Sequence, residues 1–499
     1  MNLDADRPER LVPGRIARHA RRGVSAGTET MARRWRQGVL LAFVLQLGQA
    51  CGDGGDGIGS APAPLRDEPR GAILISIDTL RADHLGCYGY ERATSPAIDE
   101  LAARGALFEE VVSSAPWTVP AHMSMLTGLY PRSHGVDEHG KVLPSETKTL
   151  AEHLAEQGFA TAAIVNGPML SRKNFARGFQ VYDFVPTRGR GRPEPTLPLG
   201  SHASEILARA QEWLAENRAR RFFLFLHLYD VHSNYEAAPE FRAQFARPYD
   251  GVVDGTTKQL HAYLGRNEGE PDWGPQDARH LVDLYDAEIR QLDGALAGFF
   301  AFLESSGLAR ETALALTSDH GEEFLEHGGV LHGPTMHREA LHVPLVFAGP
   351  GIAGGTRYRG QASPVDLFPT LTRLLGVSTP PGLEGIVLPV APQEQMEWPP
   401  ARAVFSESRQ WPGAEEGDFR GSIRAGPWAL HVDQRSGTQQ LFQLEQDPAE
   451  LRDASRENPD VVRELRSELD AYLANARAAL EAEPLDKEEL EALQALGYQ

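Results

Sequence analysis

Five uninterrupted apolar runs of strand length constrain this chain more than any other feature, because four of them close on residues that can do chemistry. GAILISI (71–77) ends at Asp78, and ATAAIV (160–165) ends at Asn166. FFLFLHL (222–228) ends at Tyr229-Asp230-Val231-His232, and TALALT (312–317) ends at Ser318-Asp319-His320. VPLVF (343–347) leads into a Gly-Pro-Gly turn. Runs with no polar alternation suit parallel strands buried on both faces. Helical patterns separate them. Ser95 and Pro96 open one, with Ser95 as N-cap, Ile98, Leu101 and Ala102 on one face, and Gly105 as the stop. Others cover 149–157, 204–217 and, at greater length, 285–303. The alternation predicts an α/β sandwich around a mostly parallel sheet. Ligands of such sheets bind at the carboxyl ends of strands, so Asp78, Asn166, Asp230, His232, Asp319 and His320 are expected along one edge.

The sheet and its helices account for residues 71–375. Residues 376–400 are rich in Pro and Gly and read as a connection. A smaller unit follows over 401–499: strand patterns at 403–407, 421–432 and 440–444, then an amphipathic helix at 458–481. This predicts a small C-terminal α+β subdomain. Segments 187–200 and 246–280 carry Gly, Pro and charge, and read as loops over the sheet edge. The formal net charge is -20, which excludes nucleic-acid binding by bulk electrostatics. Two cysteines, Cys51 and Cys87, give no disulfide framework.

Residues 31–51 read MARRWRQGVLLAFVLQLGQAC. Arg33, Arg34 and Arg36 form a positive region, and an apolar stretch too short to span a bilayer comfortably follows. Gly48, Gln49 and Ala50 then precede Cys51, as in a bacterial lipoprotein signal. Residues 1–50 are therefore expected to be an export signal region, with Met31 as an alternative start, and Cys51 the lipidated residue. The stretch 51–70 reads as a flexible tether that places the folded part outside the cytoplasmic membrane, anchored through lipid.

APWTVPAHMSMLTG (115–128) puts Thr118 at or just before the start of a helix, where free N–H groups and the helix dipole favour an anion. Thr118 there either caps the helix or, next to a cation, becomes a nucleophile. Asp78, Asp319 and His320 offer two carboxylates and an imidazole for that cation, with Thr118 as a fourth ligand.

Several segments resemble the sulfatases of the alkaline phosphatase superfamily. ISIDTLRADHLGCYG (75–89) is similar to their opening strand and metal loop. TVPAHMSMLTG (118–128) falls on their nucleophile motif, Cys/Ser-x-Pro-x-Arg followed by Leu-Thr-Gly. TSDHGE (317–322) with His327-Gly328 resembles the second metal loop, and Val343-Pro344-Leu345 the strand after it. Gly426-Pro427-Trp428, Leu441-Phe442, Asp447-Pro448 and the closing Leu-Gly-Tyr at 496–498 resemble the C-terminal subdomain.

The departures from that pattern are chemical. Thr118 stands where the formylglycine precursor is Cys or Ser, and threonine cannot yield the same aldehyde. His122 stands for the motif's Arg, Thr79 for a metal-loop Asp, and His320 for the metal-loop Asn. Asn166 and Pro168 fall on a Lys and a His. An imidazole among the ligands favours manganese or zinc over calcium. The set Asp78, Thr118, Asp319 and His320 resembles that of phospho-transferring relatives, where threonine is the nucleophile. The resemblance thus implies one divalent ion that activates Thr118 against a phosphate or phosphonate ester, of a small molecule or an envelope polymer. It implies Asn166 on the non-bridging oxygens, and His232 or His332 as the acid for the leaving group. His122 either touches the ester or lies on the helix surface. Asp230 contributes to substrate binding or, with His232 and His332, to a second ion. Glu322 and Glu323 read as an exposed acidic pair, and His327, His337 and His342 as structural. The alternatives are a sulfuric ester hydrolase working without formylglycine and a non-catalytic binding protein on the same scaffold.

Overall fold

The computed structural model describes residues 68–138, 141–170, 175–186, 202–266, 273–391, 402–409 and 418–474. The expected signal region, Cys51, nearly all of the tether, the 187–200 loop, residues 392–400 of the connection and the chain beyond 474 lie outside the described residues. No helix among the described residues is long and apolar enough to cross a membrane.

The five apolar runs form β1 (Gly71–Ile77), β3 (Ala160–Val165), β5 (Phe222–Leu228), β6 (Thr312–Thr317) and β9 (Leu345–Ala348). They join β2 (Ala106–Val111), β4 (Val181–Phe184) and β10 (Thr356–Ala362) in one eight-stranded sheet, ordered β10-β2-β9-β6-β1-β5-β3-β4. All neighbours are parallel except around β9, which is antiparallel to both β2 and β6. The cause is local. Leu345 pairs with Thr317, the last residue of β6, so the chain from 318 to 344 stays at the carboxyl edge. It forms only the ribbon β7 (Glu323–Phe324) and β8 (Val330–Leu331) and a helical turn, and no crossover carries it back. Strands β4 and β10 escape an apolar-run reading because they are the two sheet edges, and β2 because Glu109 and Glu110 break its run. The first four residues of TRYRGQA alternate in exposure, and Val181 of β4 is exposed.

Pleating sends Ile73, Ile75 and Ile77 to one core and Ala72 and Leu74 to another. Helices Pro96–Arg104, His202–Asn217 and Pro275–Ser305 cover the first face. Thr118–Thr127, Leu150–Glu156 and Leu367–Leu374 cover the second. Two expectations are corrected here. Ser95 holds the N-cap position of Pro96–Arg104, but its side chain makes no capping bond. Asp293 caps instead, accepting from the N–H groups of Ala97 and Ile98. The stretch 246–280 is not all loop: Thr257–Leu264 is helical, and the long helix begins at Pro275 rather than at 285. Its apolar period is broken on the buried side by Asp283, Asp286 and Asp293, each of which has a partner. Arg92 and Arg247 bind Asp283, and His84, Tyr90 and Arg92 bind Asp286.

The C-terminal part is the expected small α+β unit. The stretch 421–432, however, is two strands turned at Gly426-Pro427. The antiparallel order is β11 (Val404–Ser408), β12 (Arg420–Ala425), β13 (Trp428–Asp433) and β14 (Thr438–Gln443). Helix Pro459–Ala474 packs on it through Leu465 and Leu469.

Leu226 sits in β5, fully buried between β1 and β3. Leu226→Ala should lower unfolding stability by about 2–5 kcal/mol, read by denaturant titration. A loss below about 1 kcal/mol would contradict this packing.

Candidate active site

The order β6-β1-β5-β3 places four chemically loaded strand ends side by side. Asp78 follows β1, and Asp319 and His320 follow β6. His227 is the penultimate residue of β5, and Asn166 follows β3. The helix Thr118–Thr127 brings its first residue to the same edge, with Trp117 as N-cap. Asp78, Asp319, His320, His227, His122 and Asn166 are all fully buried.

Hydrogen bonding fixes which atoms face inward. His320 Nδ1 donates to the Gly321 carbonyl at 2.9 Å, so the lone pair of the neutral ring is on Nε2. That Nε2 lies 3.3 Å from Thr118 Oγ1, 3.3 Å from Asp319 Oδ2 and 3.7 Å from Asp78 Oδ1. His227 Nδ1 donates to the Asn166 carbonyl at 2.7 Å, and its Nε2 lies 3.2 Å from Asp78 Oδ2. Asp319 Oδ1 accepts from the N–H groups of His320 and Thr79, at 2.9 and 3.3 Å. Asp319 Oδ2 and both oxygens of Asp78 receive no hydrogen bond.

Carboxylate oxygens and imidazole lone pairs that face one another without a donor repel, unless a proton or a cation lies among them. Without a cation both carboxyls bind protons more tightly than usual. Burial pushes Asp78 up to about 7, against the pull of His320. Burial and then the Asp78 charge push Asp319 up to about 6. Burial pushes His320 down to about 4, so it stays neutral. The residues fit a divalent cation: Asp78, Asp319 and His320 offer inward atoms within one cluster, and Thr118 Oγ1 is beside them. Mixed oxygen and nitrogen ligands suit manganese or zinc better than calcium.

His227 is the member sequence reasoning missed. The signal was there: one imidazole interrupts FFLFLHL, and a polar group in a strand buried on both faces needs a partner.

His122 does not lie on a helix surface. Its Nδ1 donates to the Thr118 carbonyl at 2.9 Å and its Nε2 accepts from Ser76 Oγ at 2.9 Å, tying the first turn of the Thr118 helix to β1. Burial pushes it down to about 4, so it carries no fixed charge. Asn166 Oδ1 accepts from the Tyr229 N–H at 3.0 Å, which leaves its buried Nδ2 without a partner.

His332 stacks obliquely on His320 at 4.3 Å and meets His232 edge-on at 5.1 Å. Glu322 Oε1 is 2.8 Å from His332 Nδ1, and Glu322 Oε2 accepts from Tyr235 OH at 3.1 Å. The expectation that Glu322 and Glu323 form an exposed pair is wrong: both are buried. The loop folds inward because Glu322 holds His332, and Glu323 accepts from the N–H groups of His327 and Gly329. His232 Nδ1 donates to the Ser233 carbonyl at 2.7 Å, and its ring stacks on Tyr229. Asp230 Oδ1 accepts from the Ala203 N–H at 3.0 Å, at the start of helix His202–Asn217. Asp230, His232 and His332 form no three-ligand cluster among the described residues.

A family model described as Sulfatase matches residues 71–377. Arylsulfatase K of Xenopus laevis is 25% identical over 439 residues, spanning 75% of this chain and 77% of that protein. The Delta 4,5-hexuronate-2-O-sulfatase of Bacteroides thetaiotaomicron is 21% identical over 453 residues, spanning 84% and 91%. The crystal structure of the phosphonate monoester hydrolase of Agrobacterium radiobacter superposes with a TM-score of 0.67 at 22% identity. It covers 81% of this chain and 95% of that one.

The raised carboxyls set a pH dependence. A carboxyl whose folded value exceeds its unfolded one binds protons more tightly when folded, so stability falls as pH rises between the two values. The chelated protein should therefore lose melting temperature from about pH 4 to pH 7, the window set by Asp78 and Asp319. Added manganese or zinc should restore it, more so at pH 7.5 than at pH 5. A chelated protein whose melting temperature is flat over that window would contradict the unpaired-carboxyl geometry.

Proposed function

This chain belongs to the sulfatase family, a family of hydrolases acting on sulfuric or phosphoric esters and typically dependent on a divalent metal, and we propose that it cleaves a phosphate or phosphonate ester with Thr118 as nucleophile. The observation that carries this reading is the position of Thr118 Oγ1. It sits at a helix N-terminus, 3.3 Å from the inward Nε2 of His320 and beside two buried, unpaired carboxylates. The phosphonate monoester hydrolases among its structural neighbours support the substrate class.

Asp78, Asp319 and His320 would hold the cation, which supplies positive charge that favours the ionised Thr118 hydroxyl and the oxyanions of the ester. Thr118 loses its proton to solvent, its oxygen bonds to phosphorus, and the bond from phosphorus to the leaving oxygen breaks. A phosphothreonine results. The Thr118 N–H and Asn166 Nδ2 donate to the non-bridging oxygens where charge accumulates. Glu322 and His332 supply the leaving-group proton. Burial pushes Glu322 up to about 8 and His332 down to about 4. The neutral pair therefore keeps one proton between Glu322 Oε1 and His332 Nδ1 and another on His332 Nε2. His332 Nε2 gives its proton to the leaving oxygen, and the Glu322 proton moves to Nδ1. His232, edge-on to His332, keeps its single proton on Nδ1 against the Ser233 carbonyl, so the leaving-group proton is left to His332. Water or an acceptor alcohol then attacks phosphorus and frees Thr118.

The second reading, a sulfuric ester hydrolase, is supported by the sulfatases among the relatives. It requires slow hydrolysis of a threonyl sulfate, because threonine cannot form the hydrated aldehyde that expels sulfate. We also propose that the enzyme is exported and held at the membrane through a lipid on Cys51, as the signal at 31–51 suggests.

Three outcomes test these readings. Thr118→Ala should lower turnover of an aryl phosphodiester or phosphonate roughly 10³-fold or more, while Thr118→Ser keeps part of it. Acid quench in turnover should trap a phosphate on the Thr118 peptide, seen by mass spectrometry. Full activity in Thr118→Ala, or aryl sulfate turned over faster than every phosphorus ester, overturns the proposal. Labelling with radioactive palmitate should mark the wild-type chain and not Cys51→Ala.

A further inference from the structure

We propose a second divalent-metal site, remote in role from Thr118, formed by His337, His431 and Glu450 where the eight-stranded sheet's loops meet the C-terminal sheet. His337 is the N-cap of the helical turn Arg338–Leu341, which leads into β9. His431 lies in the middle of β13, and Glu450 follows β14. The three come from both parts of the fold, and each offers an atom to one cluster.

Glu450 is 1% exposed and has a defined division of labour. Its Oε1 accepts from Arg424 Nη2 at 2.7 Å. Its Oε2 accepts from the Arg338 N–H at 2.8 Å, and lies 3.3 Å from His337 Nδ1 and 3.8 Å from His431 Nε2. Tetrahedral zinc with bonds of about 2.0–2.2 Å separates its ligand atoms by about 3.3–3.6 Å. The cluster already has nearly that spacing.

A hydrogen bond from His337 accounts for one of these contacts and leaves the other unexplained. His431 is 7% exposed, and its Nε2 is buried with no hydrogen-bond partner. That atom faces the carboxylate oxygen from slightly beyond bonding range, which an intervening cation explains. Arg424 keeps Glu450 ionised and leaves only one of its oxygens for an ion. His327 stacks flat on His337 at 3.5 Å. Its own nitrogens are engaged by Glu339 Oε1 at 2.6 Å and the Glu450 carbonyl at 3.1 Å, so it orients His337 without ligating. Phe442 lies 5.0 Å from the His431 ring and closes one side. Partial exposure of His337 leaves room for water as a fourth ligand. Two imidazoles and a carboxylate point to zinc or a similar first-row ion rather than to calcium or magnesium. The ion would tie the C-terminal sheet to the loop that follows the Glu322–His332 pair.

The test is metal content of the full chain after loading with zinc and gel filtration, measured by mass spectrometry of the metal. The double variant Asp78→Asn/Asp319→Asn should keep one tightly held zinc per chain. His431→Gln should lose that zinc while retaining turnover, and its melting temperature should no longer respond to zinc once the Asp78 and Asp319 changes are added. His337→Asn, at a half-buried position, gives the same readout should His431→Gln fail to fold. Cobalt substituted into the double variant should give a visible absorption band that His337→Asn removes. Zinc content in His431→Gln and His337→Asn equal to wild type, or no zinc in the Asp78/Asp319 variant, overturns this site. Loss of zinc only in the Asp78/Asp319 variant refutes it and leaves the active-site reading standing. Loss only in the His431 and His337 variants does the reverse.

Discussion

Everything in the active pocket depends on two carboxylates, Asp78 and Asp319, buried at the ends of adjacent strands with three of their four oxygens unpaired. Folding alone would not favour this. Burying an ionised carboxylate without partners costs several kcal/mol, and the raised proton affinity of both groups records that cost. The arrangement becomes favourable when positive charge arrives. The parallel pairing of β1 with β6 fixes the spacing of the two groups, and the main-chain N–H groups of Thr79 and His320 pin one Asp319 oxygen.

The placement of Thr118 follows from the same frame. The helix beginning at Thr118 is held to β1 through His122, whose two nitrogens join the Thr118 carbonyl to Ser76. Ser76 sits two residues before Asp78, so hydroxyl and carboxylate share one support. A second layer, Tyr235 to Glu322 to His332, stands behind His320 and sets the orientation of the His332 ring. An arginine at position 122 would bring a permanent charge. A neutral histidine there gives up that charge and contributes rigidity instead.

Much of this was legible in the sequence, for a physical reason. Continuous apolar runs mark buried parallel strands, and the residues just past them must lie at one edge, which placed Asp78, Asn166, Asp319 and His320 together. The antiparallel β9 was not legible, because an apolar run carries no direction. The first turns of the long helix were not legible, because Asp283 breaks the apolar side ahead of Leu284 and Tyr285. The partners of that helix's buried acids come from residues nearly 200 positions away in some cases, as with Ala97 and Asp293. His227 hid inside a strand whose other residues are apolar. Glu322 was misplaced because an acidic pair after a metal loop looks solvated until its partners, Tyr235 and His332, are brought to it by folding.

The C-terminal sheet supplies no ligand to the pocket, yet it touches the loop that leads to Thr118. Ser406 Oγ donates to the Ser113 carbonyl at 2.6 Å, and the Glu407 N–H donates to the Ser114 carbonyl at 3.0 Å. Ser113 Oγ in turn donates to the Asp319 carbonyl. A displacement of the small sheet would therefore reach the Asp319 backbone through Ser113, only two hydrogen bonds away.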